Sequence, residues 1–197
     1  MARRSLVLVA TLVAALLLAG AAIAAHVTIR VEGKTQTIFG SKPVAIDAAN
    51  ALQALDIAST LGEFYYGVTH SSFGDYVSQV GKYPGAGSAG WVFKVNDVSP
   101  PVGADQVQLK DGDAVLWYYA TFGSAGGPPT LYLKPLAGNC YSVTSYDDAG
   151  KASPAAGAVI HVDGRRVKVV DGKGCVGKHK GLVRAYSFGT VRSNSAT

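Results

Sequence analysis

Two serine segments come nearest to a catalytic motif: Ala86-Gly87-Ser88-Ala89-Gly90 and Phe122-Gly123-Ser124-Ala125-Gly126. A nucleophile elbow, G-x-S-x-G, needs a glycine two residues before the serine and a helix directly after it, so that the serine is held in a strained turn. Ala86 and Phe122 stand where that glycine belongs. A strand pattern follows Ser88 and a proline stretch follows Ser124, so both read as loop serines. His26, His70, His161 and His179 are nowhere spaced to share a metal. Asp147-Asp148 and Asp111-x-Asp113 lack the run of oxygen ligands that a calcium loop requires, and aspartate on a turn commonly caps backbone instead. No pair of carboxylates is marked out for acid–base work. These residues predict no enzyme, no cofactor and no bound metal.

Cysteines and aromatics carry more information. Cys140 and Cys175 make an even pair, which in an exported protein reads as one disulfide. A metal site there would need His161 or His179 as further ligands and a reducing compartment. Tyr65, Tyr66, Tyr76, Tyr83, Trp91, Trp117, Tyr118 and Tyr119 all fall in the first part of the chain. On a strand, Val115, Trp117 and Tyr119 share one face, and Leu116 and Tyr118 share the other. Trp91, Phe93 and Val95 share a face opposite Lys94. One face of the 115–119 strand must cover a helix. The other is a candidate stacking surface for a flat ligand or a sugar, which makes Trp91, Trp117, Tyr118 and Tyr119 the candidate ligand-binding residues. Core packing with ordinary tyrosines at a sheet edge is the competing account.

The N-terminus reads as a secretory leader. Arg3 and Arg4 precede an uncharged apolar run from Leu6 to Leu18, and Ala22-Ile23-Ala24 is an A-x-A processing site, so the cut is expected after Ala24. An uncleaved anchor is the rival, since residues 6–25 reach the roughly 20 residues that span hydrocarbon. Membrane contact is expected only through that segment. The formal charge is +5, of which Arg3 and Arg4 supply two. Nucleic-acid binding wants a stronger basic stripe than the densest one here, Lys173 to Lys180.

The elements divide at Gly123-Ser124-Ala125-Gly126-Gly127-Pro128-Pro129, flexible glycine followed by stiff proline. The expected order is a leader over 1–24, a first module over 25–122, a linker over 123–130 and a second module over 131–197. Val27, Ile29 and Val31 alternate with Thr28 and Arg30, as on a half-buried strand. Ala48, Ala51, Leu52 and Leu55 follow a helical period, with Asp47 as the expected N-cap. Strand patterns follow at 64–68, 75–80, 91–95 and 114–120, with an Asp111-Gly112 turn before the last. This predicts an α+β module, β-grasp-like, with one helix on a mixed sheet. The second module shows short strands at 141–146, 159–162, 167–170 and 182–186. Its turns are Asp148-Ala149-Gly150, Asp163-Gly164 and Asp171-Gly172, so it reads as a small all-β sandwich.

The run Gly90-Trp91-Val92-Phe93-Lys94-Val95-Asn96, then Val102-Gly103-Ala104, then Leu109-Lys110-Asp111-Gly112-Asp113-Ala114-Val115-Leu116-Trp117, resembles the DUF4430 family. Members of that family look like the C-terminal β-domain of transcobalamin and intrinsic factor, and the likeness covers about Val27 to Ala120. In the vitamin carriers this domain closes over cobalamin against a helical barrel, and this chain has no such barrel. The second module is similar to carboxypeptidase-regulatory-like or prealbumin-like sandwiches of exported bacterial proteins, on Tyr146-Asp147-Asp148-Ala149-Gly150, Pro154 to Val159, Asp163-Gly164, Asp171-Gly172 and Arg184-Ala185. Such modules usually serve as spacers or adhesive domains. The expected function is that of an exported, cell-envelope-associated, non-catalytic protein that binds a small molecule, a glycan or a cell-surface component. A structural or adhesive spacer without a ligand is the alternative.

Overall fold

A computed structural model of the chain describes residues 24–71, 74–124 and 126–197. The leader expected over residues 1–24 falls, but for Ala24, outside them. The described chain begins with β1 (Ala25–Glu32) and β2 (Thr37–Ala48), then α1 (Ala51–Leu61). Next come β3 (Tyr66–Ser71), β4 (Gly74–Val80), β5 (Tyr83–Pro84), β6 (Ala89–Val95) and β7 (Ala114–Thr121). The main N-terminal sheet has the order β2-β1-β7-β6. β1 pairs with β7 in parallel and each pairs with its outer neighbour antiparallel. This is the β-grasp order, in which a parallel central pair needs a crossover long enough to carry a helix. β3, β4 and β5 form a smaller sheet.

The helix starts three residues later than its period suggests. Asn50, not Asp47, is the N-cap, and its side-chain oxygen accepts from the Gln53 N–H at 2.8 Å. Asp47 still pairs with β1 as part of the long β2, and its carboxylate meets the His26 ring at 2.9 Å. Two bulges bend the β1–β2 pair. Gly40 sits at that bend with φ +63, where a Cβ would come within 2.6 Å of the Ile29 carbonyl oxygen. Ala51, Ala54, Leu55 and Ala58 bury one helix face against Val27, Ile29, Val31, Val115 and Trp117.

The C-terminal part is a two-sheet β-sandwich. β9 (Cys140–Tyr146) pairs with β8 (Thr130–Leu136) along one edge, and with β10 (Ala152–Pro154) and β13 (Lys173–Cys175) in tandem along the other. β11 (Val159–Val162), β12 (Arg165–Lys168), β14 (Val183–Tyr186) and β15 (Ser195–Ala196) form the second sheet, in the order β12-β11-β14-β15. Leu131, Leu133, Tyr141, Val143, Ile160, Val162, Val183 and Ala185 fill the space between the sheets. Cys140 and Cys175 are directly opposed on β9 and β13 and are joined in a disulfide that closes a span of 35 residues. A closed loop of that length restrains the unfolded chain by about 3–4 kcal/mol. Cys175→Ser is therefore expected to lower the stability of the sandwich by about that amount, read as a shift of its urea midpoint. Equal midpoints for wild type and variant would refute it.

The two parts are held together by buried polar groups. Glu32 is 1% exposed although it closes a strand that reads as half solvent-facing. Its Oε1 accepts from Arg30 Nη1 at 2.7 Å and from Arg184, and its Oε2 accepts from Arg192 Nε at 3.0 Å. Thr37 donates to the same carboxylate at 3.0 Å, and Arg192 Nη2 bonds the Gly33 carbonyl at 2.6 Å. On the same face of the sheet, Lys94 is fully buried. Its ammonium donates to Thr130 Oγ1 and to the carbonyls of Tyr146 and Asp147, the last at 2.6 Å. Leu116, Tyr118 and Ala120 of β7 pack with Val191 between these polar contacts. Residues 127–129 run along this junction: Gly127 N–H donates to Asp148, and the Pro129 carbonyl accepts from Val191 N–H.

Candidate functional site

β6 is the last strand of the main sheet, and a cleft of about 300 Å³ follows its outer edge. The register of β6 against β7 sets Trp91 beside Tyr119 and Phe93 beside Trp117. Phe93 and Trp117 stack with ring centres 5.0 Å apart, and Trp91 meets Tyr119 edge-on at 5.7 Å. Trp91, Phe93 and Trp117 line the cleft from the helix face of the sheet, and Tyr118 lines it from the other face, around the edge of β6. Val77 of β4 and the loop through Pro100, Val102 and Ala104 form the opposite wall, while Tyr76 and Phe122 stand at the rim.

The indole N–H groups point away from the cleft and fix the rings. Trp91 Nε1 donates to the Tyr83 carbonyl at 2.8 Å, and Trp117 Nε1 to the Ala51 carbonyl at 3.0 Å. A buried indole held by a backbone acceptor cannot swing, so the wall is preformed. Tyr119 is half-buried, bonds the Pro84 carbonyl at 3.2 Å and does not line the cleft. The structure thus brings three of the four aromatic candidates to one cleft and places Tyr119 behind Trp91.

The outer face of β7 is covered rather than open. Tyr118 is 1% exposed and Leu116 7%, because the C-terminal part packs over them. Trp117 is 2% exposed on the helix face. What remains accessible is the strip of ring edges along β6.

One end of the cleft is polar. The Tyr118 hydroxyl and Ser99 Oγ each lie 3.5 Å from Asp148 Oδ1, a long contact, and Ser99 N–H donates to the Asp148 carbonyl at 2.9 Å. Burial, followed by the Asp148 charge, pushes the Tyr118 phenol well above its usual pKa of 10, so it stays protonated. Lys94 Nζ approaches Asp148 from behind at 3.9 Å. Burial lowers the Lys94 pKa, while Asp148, Asp97 and Asp147 act the other way. Asp105 Oδ1 is buried without a hydrogen-bond partner among the described residues, close behind Gly103 in the opposite wall.

Sequence reasoning missed Asp148 as a site residue, since it reads as a turn aspartate of another module. It also missed the 99–104 loop, whose Ser99-Pro100-Pro101 start marks a stiff apolar segment. A serine lines this cleft but no histidine does. Elsewhere His70 pairs with Asp75 at 2.6 Å, and His179 bonds the Tyr141 hydroxyl at 3.0 Å. Among the described residues no group of three or more His, Cys, Asp or Glu could hold a metal ion, and no helix is long and apolar enough to cross a membrane. What this arrangement can do chemically is hold a flat apolar body against ring edges and offer hydrogen bonds at one end.

Residues 47–121 match the family described as "Domain of unknown function (DUF4430)". That span runs from the end of β2 through α1 to the end of β7 and so contains most of the cleft wall. No curated protein matches the chain. Among solved structures, a protein of Ruminococcus gnavus described as a "putative metal binding protein" is similar over 48% of this chain and 95% of its own, with 17% identity and a TM-score of 0.37.

Proposed function

We propose that the chain is an exported, non-catalytic binding protein whose N-terminal part takes a flat, largely apolar ligand into the cleft along β6. The observation that carries this reading is a preformed aromatic wall with a cluster of hydrogen-bonding groups, Ser99, Tyr118 and Asp148, at one end, the usual build of a small-molecule site. Such a site orients a ligand by its polar end and holds it by its flat body. The Cys140–Cys175 disulfide supports an oxidising, extracytoplasmic location. In the same reading the C-terminal sandwich resembles the spacer or adhesive modules of exported proteins and carries the cleft away from the cell surface.

The test uses the two rim residues, whose loss should spare the fold. Tyr76 is 54% exposed and Phe122 41%. An aromatic contact contributes about 0.5–1.5 kcal/mol beyond area burial. Phe122→Ala and Tyr76→Ala are each expected to weaken ligand binding by roughly 2- to 10-fold while the melting temperature stays within about a degree of wild type. The assay is intrinsic fluorescence, since both tryptophans form the wall. Equilibrium dialysis replaces it for absorbing ligands such as cobalamin, the first to try on the family resemblance. If a panel of corrinoids, flat aromatics and wall sugars gives no saturable response, the ligand-free spacer reading replaces this one.

A further inference from the structure

A second site lies on the opposite part of the molecule. The strand registers of the second sandwich sheet align four residues across it: Arg166 opposes His161, His161 opposes Arg184, and Arg184 opposes Ser195. Residues paired in this way put their side chains on the same sheet face. The alternate residues Ile160, Val162, Val183 and Ala185 fill the sandwich core, so the row is on the outer face. Tyr186, two residues beyond Arg184, shares that face, and its ring lies 4.6 Å from that of His161. Together with Ser41 of β2 these side chains line part of an open cavity of about 420 Å³.

We infer that this row, Arg166-His161-Arg184-Ser195 with Tyr186 beside it, is a binding site for an anionic sugar unit, one carrying a phosphate, sulfate or carboxylate group. Three further observations carry the inference. Ser195 is 5% exposed, lines the cavity, and its hydroxyl has no hydrogen-bond partner among the described residues. A buried hydroxyl without a partner costs free energy that a bound acceptor would recover.

The second observation is charge. Residues 131–197 hold ten lysines and arginines against four aspartates, whereas residues 25–130 hold six against nine acidic residues. The basic excess of the chain therefore lies wholly in the sandwich and the leader. Behind the row, one carboxylate, Glu32, meets the guanidinium groups of Arg30, Arg184 and Arg192, so this corner is left with positive charge. Arg166 lines the cavity with no hydrogen bond or ion pair among the described residues. The acid in the wall, Asp163, is already taken up by the N–H groups of Lys180 and Gly181.

The third observation is shape. The cavity holds far more than a bare oxyanion, and the His161 and Tyr186 rings, 4.6 Å apart and tilted 36° to one another, offer aromatic surface for the apolar face of a sugar. Burial, then Arg166, lowers the His161 pKa below 6.5, so near neutral pH its ring is an uncharged hydrogen-bonding partner. Arg166 would hold the oxyanion, bidentate as guanidinium groups favour.

The experiment titrates the full chain with glucuronate, mannose phosphate, inorganic phosphate and glucose at low salt, read by amide shifts in proton–nitrogen NMR spectra. At least one charged sugar is expected to give saturable shifts centred on residues 161, 166, 184 and 195, with an affinity about tenfold above those of inorganic phosphate and glucose. Arg166→Gln is expected to lower that affinity about tenfold with an unchanged melting temperature, because Arg166 is exposed and unpaired. Tryptophan fluorescence should not respond, since both tryptophans line the other cleft. The inference is overturned if no probe gives saturable shifts at the row. It is equally overturned if inorganic phosphate or glucose binds as tightly as the charged sugars, or if Arg166→Gln keeps the affinity.

Discussion

Glu32→Gln is expected to remove about 3–5 kcal/mol of folding stability, the range seen when one partner of a buried ion pair is taken away. Glutamine keeps the volume and part of the hydrogen bonding, so the loss isolates the charge. The Glu32 side chain is fully buried, and those of Arg30, Arg184 and Arg192 are 8%, 13% and 14% exposed. Three desolvated guanidinium groups would then face one another with no anion between them. Burial already lowers the Arg30 pKa despite the opposing effect of Glu32, as expected for a cation short of solvent. A domain with a total stability of about 5–15 kcal/mol loses a large share of it in this way. Two of the three arginines, Arg184 and Arg192, belong to the C-terminal part, so the variant should also loosen that part from the main sheet. Urea unfolding monitored by circular dichroism gives the number. A loss below about 1 kcal/mol, the range of exposed pairs, would show that the cluster is solvated and that this account of the junction is wrong.

Trp117→Ala is expected to cost about 3–5 kcal/mol, the usual penalty for emptying a buried aromatic site. Trp117 is 2% exposed, stacks on Phe93 and bonds the first turn of α1 through its indole N–H. Its removal opens a cavity between helix and sheet and leaves the cleft wall without its central ring. Trp117→Phe separates the two contributions. It should cost less than the alanine change, because most of the packing stays and chiefly the hydrogen bond, about 0.5–1.5 kcal/mol, is lost. Thermal and urea unfolding of both variants are the measurements. Equal costs for alanine and phenylalanine would show that the indole N–H bond, rather than packing, holds the helix on the sheet.

The covering of Tyr118 illustrates where local reasoning stops. Alternation along 115–119 correctly separates Trp117 from Tyr118, since strand side chains alternate by covalent geometry. Both faces read as apolar, and a face is exposed or buried only according to what comes to lie on it. Val191, more than 70 residues later in the chain, lies on this one. Arg30 and Glu32 teach the same lesson for β1, where a polar residue at an alternate position ordinarily faces water. The helix start shows a smaller failure. Asp47 and Asn50 are both good caps, and the choice fell to Asn50 because β2 continues through Asp47 to pair with β1.

The succession of elements is legible in the order of residues: a helix whose apolar period must be buried, strands of period two around it, Asp-Gly turns, and a cysteine pair confined to the last third of the chain. These follow from interactions among residues near one another along the chain, which leave their period in the sequence. It takes the folded chain to show that Asp148 closes a cleft built mainly by β6 and β7, that Glu32 gathers three arginines, and that Arg166, His161, Arg184 and Ser195 stand in one row. Those groupings depend on strand register and on how the sandwich packs against the main sheet. Register is set by the sum of many weak side-chain contacts across strands far apart in the chain, and no short stretch of sequence contains that sum.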